Sequence, residues 1–163
     1  MSNEVSPRPS STQRVIMAAA DHGIEITLSD YPEHGARTAE DAAAAVGCSV
    51  AQIVKSMIFD AEGTLVVALT SGANQVDGTR LAELAGVESC GRADVEKVRV
   101  HTGFAIGGVP PFGHDHSSPT WIDPLLLTFD QVWAAGGTPR HVFPIAPDDL
   151  VRLAGAVVAD FTR

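Results

Sequence analysis

The chain has 163 residues, 45% hydrophobic and 19% charged, which suits one domain with a sizeable core and excludes a disordered or fibrous protein. Its net charge of −9 excludes a broad basic footprint for nucleic acid, so DNA is not expected as a partner and any RNA contact is local and salt-sensitive. No apolar run reaches the roughly 18 residues of a membrane span, no signal-peptide pattern opens the sequence, and two cysteines, Cys48 and Cys90, make no disulfide framework. A cytoplasmic protein without membrane contact is therefore expected.

Residues 1–9, polar with two prolines, read as a flexible tail ahead of a single domain spanning 10–163. Ser10-Ser11-Thr12 offers N-caps for a helix to about Asp21, with Val15, Ile16 and Ala19 on one face. Ile24 to Leu28 alternates like a half-buried strand. Thr38, followed by Glu40 and Asp41, caps an alanine-rich helix that stops at Gly47, and Ser49 starts a short helix reaching Val54 or Lys55. Ser56–Asp60 and Thr64–Thr70, joined by Ala61-Glu62-Gly63, form a hairpin whose second strand is apolar enough to be covered on both faces. Asp77 or Thr79 caps a helix over 80–84 closed by Gly86, and Asp94 opens another. Beyond a Gly/Pro-rich loop, 120–123, 126–129 with 131–133, and 141–145 read as strands, with Pro144 at an edge or a strand end. Pro147-Asp148-Asp149 begins the last helix. Helices and strands mix without regular βαβ alternation, which indicates an α+β domain rather than a doubly wound one.

The stretch richest in chemistry runs from Thr102 to His114, with four glycines and two prolines around a short apolar run. Such a segment brings backbone N–H and C=O groups close to a ligand, or it is a stiff surface turn. Within it, Gly107-Gly108-Val109-Pro110-Pro111 can offer main-chain donors to an oxyanion. Lys55 lies in the apolar Ile53-Val54-Lys55-Ser56-Met57-Ile58. It is a nucleophile or base if desolvated, a fixed cation for a phosphate or developing negative charge, or a lysine snorkelling at a helix C-terminus. The phosphate-cradling Gly-Lys-Ser/Thr ending and the Gly-x-Ser-x-Gly elbow are both absent, so a hydrolase here lacks an obvious protein nucleophile. His114 and His116 fall on one face of an extended segment. With His101 they form either a three-histidine metal set or a polar turn in water; no metal or other cofactor is expected. Arg92, Lys97, Arg99 and His101 make a basic run that steers a phosphate or is simply solvated.

Taken in order, the Ala42-Ala43 helix, Ile53-Val54-Lys55-Ser56, Gly72–Leu81 with Gln75-Val76-Asp77, Thr102–Gly113 and Gly136-Gly137 resemble the YbaK/EbsC family over roughly residues 12–160. That family comprises free-standing aminoacyl-tRNA deacylases and the editing insertion of bacterial prolyl-tRNA synthetases. The resemblance implies a mixed, strongly curved sheet approaching a barrel, flanked by helices. It also implies hydrolysis of the ester of a mischarged tRNA, expected to be tRNA(Pro) carrying Cys or Ala, with a non-catalytic tRNA-end, nucleotide or synthetase-binding module as the alternative. The partners implied are the acceptor end of an aminoacyl-tRNA and, in addition, a prolyl-tRNA synthetase. Lys55 matches the family lysine that positions the tRNA end, and Gly107 with Pro111 matches its Gly-x-x-x-Pro motif. Gly108 follows in the same main-chain turn, and Tyr31 is similar to a pocket tyrosine, although the following loop, Pro32 to Arg37, is shortened. His141 is similar to a histidine that sorts amino acids in some branches. Ala135 replaces a serine found before the double glycine, a departure that bears on which amino acid is preferred.

Overall fold

The computed structural model describes residues 8–31 and 38–163; residues 1–7 of the expected tail and the loop 32–37 lie outside the described residues. Helix α1 (Ser11–Ala20) begins with a reciprocal capping box: Ser10 Oγ accepts from the Gln13 N–H, and Gln13 Oε1 accepts from the Ser10 N–H. Val15 and Ala19 on its inner face are fully buried. The expected strand at 24–28 is not one. Ile24 and Ile26 are buried as their alternation requires, but this stretch forms no ladder among the described residues. Pairing starts only at β1 (Ser29–Asp30), which meets Val142 and His141.

Helix α2 (Ala39–Val46) is capped by Thr38 and ends at Gly47, as expected. Ser49 starts a single 3₁₀ turn, Val50–Gln52, rather than a helix reaching Lys55. The sheet takes the chain over at that point: Ser71 Oγ donates to Ala51 O, and the Gly72 N–H donates to Ile53 O. Lys55 therefore stands inside β2 (Ile53–Ala61), and the reading of it as a lysine at a helix C-terminus is overturned. β2 folds back on β3 (Thr64–Ser71) with Ala61 opposite Thr64. The turn is thus the two residues Glu62-Gly63, at φ 55° and 100°, the pair of left-handed conformations that matches the twist of a hairpin. β3 is buried from Leu65 to Ser71, the doubly covered strand its composition implies.

Then follow α3 (Gly78–Ala85), capped by Asp77, β4 (Gly91–Arg92), α4 (Val95–Thr102), capped by Asp94, and β5 (Thr120–Ile122). The strand expected over 126–129 is a 3₁₀ helix, Pro124–Thr128. Asp123 Oδ1 accepts from the Leu125 N–H and Pro124 occupies the first position, where its missing N–H is harmless, so local capping overrides the apolar run. β6 (Val132–Ala135), β7 (His141–Ile145), α5 (Pro147–Ala154) and β8 (Val157–Val158) complete the described elements.

The strands form one mixed sheet in the order β1-β7-β6-β2-β3-β5-β8, with β4 also beside β2. β2–β6, β3–β5 and β5–β8 are parallel and the remaining pairs antiparallel. Pro144 sits opposite Trp133, beyond the two residues that β1 covers, so its lack of an N–H breaks no ladder. The main core, including Val15, Val54, Leu69, Ile122, Phe143 and Leu150, is distinct from a second cluster with Phe59, Val66, Leu81 and Phe161. A third, smaller cluster packs Ala42 and Ala43 of α2 on Ile53.

Candidate active site

The site begins as a gap in hydrogen bonding along β2. Odd-numbered residues of β2 turn their backbone groups toward β3, as Ile53 O does in accepting from Gly72. Even-numbered residues turn theirs the other way, as Ile58 O does in accepting from the Ala93 N–H at 3.1 Å. On that second side β6 pairs only with Ile53 and Val54, and β4 only with Phe59 and Asp60. Among the described residues, no strand covers the stretch between, 55–58. A cavity of about 360 Å³ lies against it, walled by residues from both faces of β2. Tyr31, Ala39, Ala42 and Ile53 contribute from the α2 side, and Val54, Ile58, Val98 and Val109 from the main core.

Lys55 lines this cavity, and its Nζ donates to Asn74 O at 2.7 Å. Asn74 is held in turn: its Nδ2 donates to Asp123 Oδ2 at 2.8 Å, and the same oxygen accepts from the Ser71 N–H at 3.1 Å. Asp123 is only 2% exposed, so this carboxylate is a buried post beneath the lysine rather than a surface charge. Half-burial lowers the Lys55 pKa; Glu40 and Asp123 pull it back up and nearby Arg92 adds to the lowering.

Gly107 also lines the cavity, at φ +95°, a conformation that an L side chain rarely adopts. Gly108 behind it touches main chain: a Cβ there would fall 2.5 to 2.8 Å from the Cα, C and N of Thr138. Pro139, the next residue, lines the cavity as well. We expect Gly108→Ala to cost about 1–3 kcal/mol of stability, because neither backbone can yield like a side-chain tip. A urea midpoint equal to wild type would contradict this packing.

The sequence-named residues divide between two positions. Lys55, Gly107 and Tyr31 share the cavity wall, together with Ala135; Gly108 and Pro111 are buried behind it. His141 is also outside the wall: its Nδ1 meets Thr138 Oγ1 at 2.6 Å and its Nε2 meets Asp30 Oδ1 at 2.8 Å. It secures the turn that carries Pro139. His114 is directed to Pro110 O at 2.6 Å, and burial lowers its pKa, while His101 bonds Ser118 and stacks obliquely near His116. Among the described residues no three metal-ligating side chains converge. The basic run also separates. Lys97 pairs with Asp60 and Arg99 with Glu96, while Arg92 alone of the four lines the cavity. Asp123 and Asn74 are the positions that sequence reasoning assigned no role in the site; an Asp-Pro pair closing an apolar strand was the available signal for the first.

Tyr31 is the only tyrosine, and burial, with a smaller contribution from Cys48, pushes its pKa up to about 12. An acid whose pKa is raised by folding contributes stability that is full below its unfolded value, near 10, and lost as pH rises toward 12. A phenolate absorbance titration should therefore show one late transition, moving to near 10 in denaturant. A native midpoint at the denatured value would place the ring in water.

One mixed sheet with helices packed around it makes this an α+β domain, with its cavity against the uncovered segment of β2. Residues 33–153 match the family model of the aminoacyl-tRNA editing domain, and the chain belongs to that family. It is 30% identical over 119 residues to the uncharacterized protein YwhH of Bacillus subtilis, covering 72% of this chain and 75% of that one. It is 35% identical over 109 residues to a proline–tRNA ligase of Nitratidesulfovibrio vulgaris, covering 67% of this chain but 19% of the ligase. The chain thus spans about a fifth of the ligase's length. A crystal structure of a proposed trans-editing enzyme for prolyl tRNA synthetase superposes with a TM-score of 0.88 at 43% identity, over 98% of this chain and 99% of that one. Among the described residues no helix is long and apolar enough to cross a membrane.

Proposed function

We propose that residues 10–163 act as one trans-editing domain that hydrolyses the ester of mischarged tRNA, with tRNA(Pro) bearing Cys or Ala as the first substrates to try. The observation that carries this reading is the sharing of one cavity by Lys55 and the Gly107 turn, in a chain of the editing family. A water oxygen bonds to the ester carbon, the bond from that carbon to the ribose oxygen breaks, and the ribose oxygen leaves as a hydroxyl with a proton from the water. Free amino acid and uncharged tRNA result. Lys55 supplies a fixed positive charge for the terminal nucleotide or its phosphate, and main chain near Gly107 polarises the carbonyl. An aminoacyl ester is already activated, so positioning and electrostatics supply the acceleration without a protein nucleophile. A cavity this small discriminates weakly by one methylene, which is why separate hydrolysis of near-cognate products is useful.

The acidic chain suits a partner gripped only at its acceptor end, where Lys55 and Arg92 line the same cavity. We place this activity in the cytoplasm, alone or beside a prolyl-tRNA synthetase. The test is deacylation of a panel of mischarged tRNAs, beginning with Ala-tRNA(Pro) and Cys-tRNA(Pro). Turnover of at least one member is expected; acceptor-stem binding with no turnover of any would replace the enzyme by a binding module.

A further inference from the structure

We propose that Ser56 pairs with the aminoacyl group as though that group were one residue of an antiparallel strand, and that its hydroxyl favours a small side chain able to hydrogen-bond. This rests on the deacylase reading and names how the acyl group is held.

Ser56 is an even-numbered residue of β2, so its N–H and C=O point away from β3, toward the side where β6 has ended and β4 has not begun. Its Oγ is buried and has no hydrogen-bond partner among the described residues. Ser56 lines the cavity, flanked by Lys55 and Met57. Ser56 thus turns two main-chain groups toward the uncovered side of β2, and its unpartnered hydroxyl is buried beside a pocket whose other walls are largely apolar. A buried hydroxyl without a partner costs about 1–3 kcal/mol, which a ligand carrying the matching group recovers.

The geometry of that triplet fits an α-aminoacyl ester. In a hydrogen-bonded antiparallel pair two residues exchange both bonds, N–H to O and O to N–H. The Ser56 N–H would donate to the acyl carbonyl, and the Ser56 C=O would accept from the α-ammonium. Facing residues in such a pair carry their side chains on the same face of the sheet, as near neighbours. The acyl side chain of an L-amino acid therefore stands beside Ser56 Oγ, in front of Val54 and Ile58. A hydroxyl or thiol there completes the Ser56 bond, whereas a methyl leaves it unmade. A larger side chain meets the core. An acyl group without an α-nitrogen loses one of the two main-chain bonds.

The experiment uses the full chain, labelled with nitrogen-15, and the amide-linked analogue 3′-deoxy-3′-(serylamino)adenosine, which cannot be hydrolysed. Binding should slow hydrogen exchange at the Ser56 amide by about fivefold, the effect of one added backbone bond of ordinary net strength. In parallel, Ser56→Ala should lower the ratio of kcat/KM for seryl- over alanyl-tRNA(Pro) by about threefold to tenfold. Shifts at Lys55 and Gly107 with unchanged exchange at Ser56 would overturn the pairing while leaving the deacylase reading intact. An unchanged ratio in Ser56→Ala would overturn the role of the hydroxyl. No turnover of any panel tRNA, with no perturbed cavity amide, would overturn both readings together.

Discussion

Lys55→Ala should lower kcat/KM for aminoacyl-ester hydrolysis by about 10²–10³-fold, the scale seen when one preorganised electrostatic group is removed from an active site. The chain should remain folded, because Lys55 is half-exposed and its hydrogen bond to Asn74 O is one that water can replace. Direction matters as well as size. Burial lowers the pKa of Lys55, so the charged form that serves a phosphate or a developing oxyanion begins to disappear below the ordinary lysine range. After correction for spontaneous ester hydrolysis, wild-type kcat/KM should fall on the alkaline side as pH passes that lowered value. Lys55→Arg, always charged, should show no such fall at its reduced rate. A Lys55→Ala enzyme as active as wild type would remove this residue from the mechanism.

Asp123→Ala should be the most destabilising change near the site, by about 3 kcal/mol, because three donors lose their acceptor in a buried place. They are the Ser71 N–H, the Asn74 amide and the Leu125 N–H. The loss is also functional. Asn74 presents the carbonyl that holds Lys55, so the variant should lower kcat in the fraction that folds. Asp123→Asn keeps one oxygen but sets an NH₂ group against donors, so it should fall between wild type and Asp123→Ala. Denaturant midpoints decide the matter: a change within about 0.5 kcal/mol would mean that the carboxylate is not a structural post.

Elements with strong local chemistry were legible in the sequence. Caps at Ser10, Thr38, Asp77 and Asp94, and the stops at Gly47 and Gly86, fall where the residues ask for them. The failures share a cause. Ile24 and Ile26 alternate because they are buried, yet burial does not supply a strand partner. Leu126 and Leu127 are apolar enough for a strand, yet Asp123 and Pro124 bend the chain into a 3₁₀ turn first. The strands β1, β4 and β8, two residues each, carry no period to detect.

The site was legible in part for the same reason. Lys55 and the Gly107 turn stand out by composition, and they do share a cavity. Ser56 has no role of its own in the sequence reading, because what distinguishes it is the place where two neighbouring strands stop. Asp123 reads as the end of a strand until the structure shows Asn74 and Ser71 arriving from elsewhere in the chain. Contacts that join distant segments leave no local trace.

The opening along β2 is framed at both ends by ladders, with β6 on Ile53 and Val54 and β4 on Phe59 and Asp60. Its length is therefore counted in residues rather than adjusted by side chains. Lengthening β6 by one paired residue would close part of it, and shortening β4 would extend it. Within such a frame, substitutions along the wall can retune which acyl group is accepted while the main-chain grip persists. In the proposed pairing, selectivity rests on side chains and attachment on main chain, so one can drift in evolution without dismantling the other.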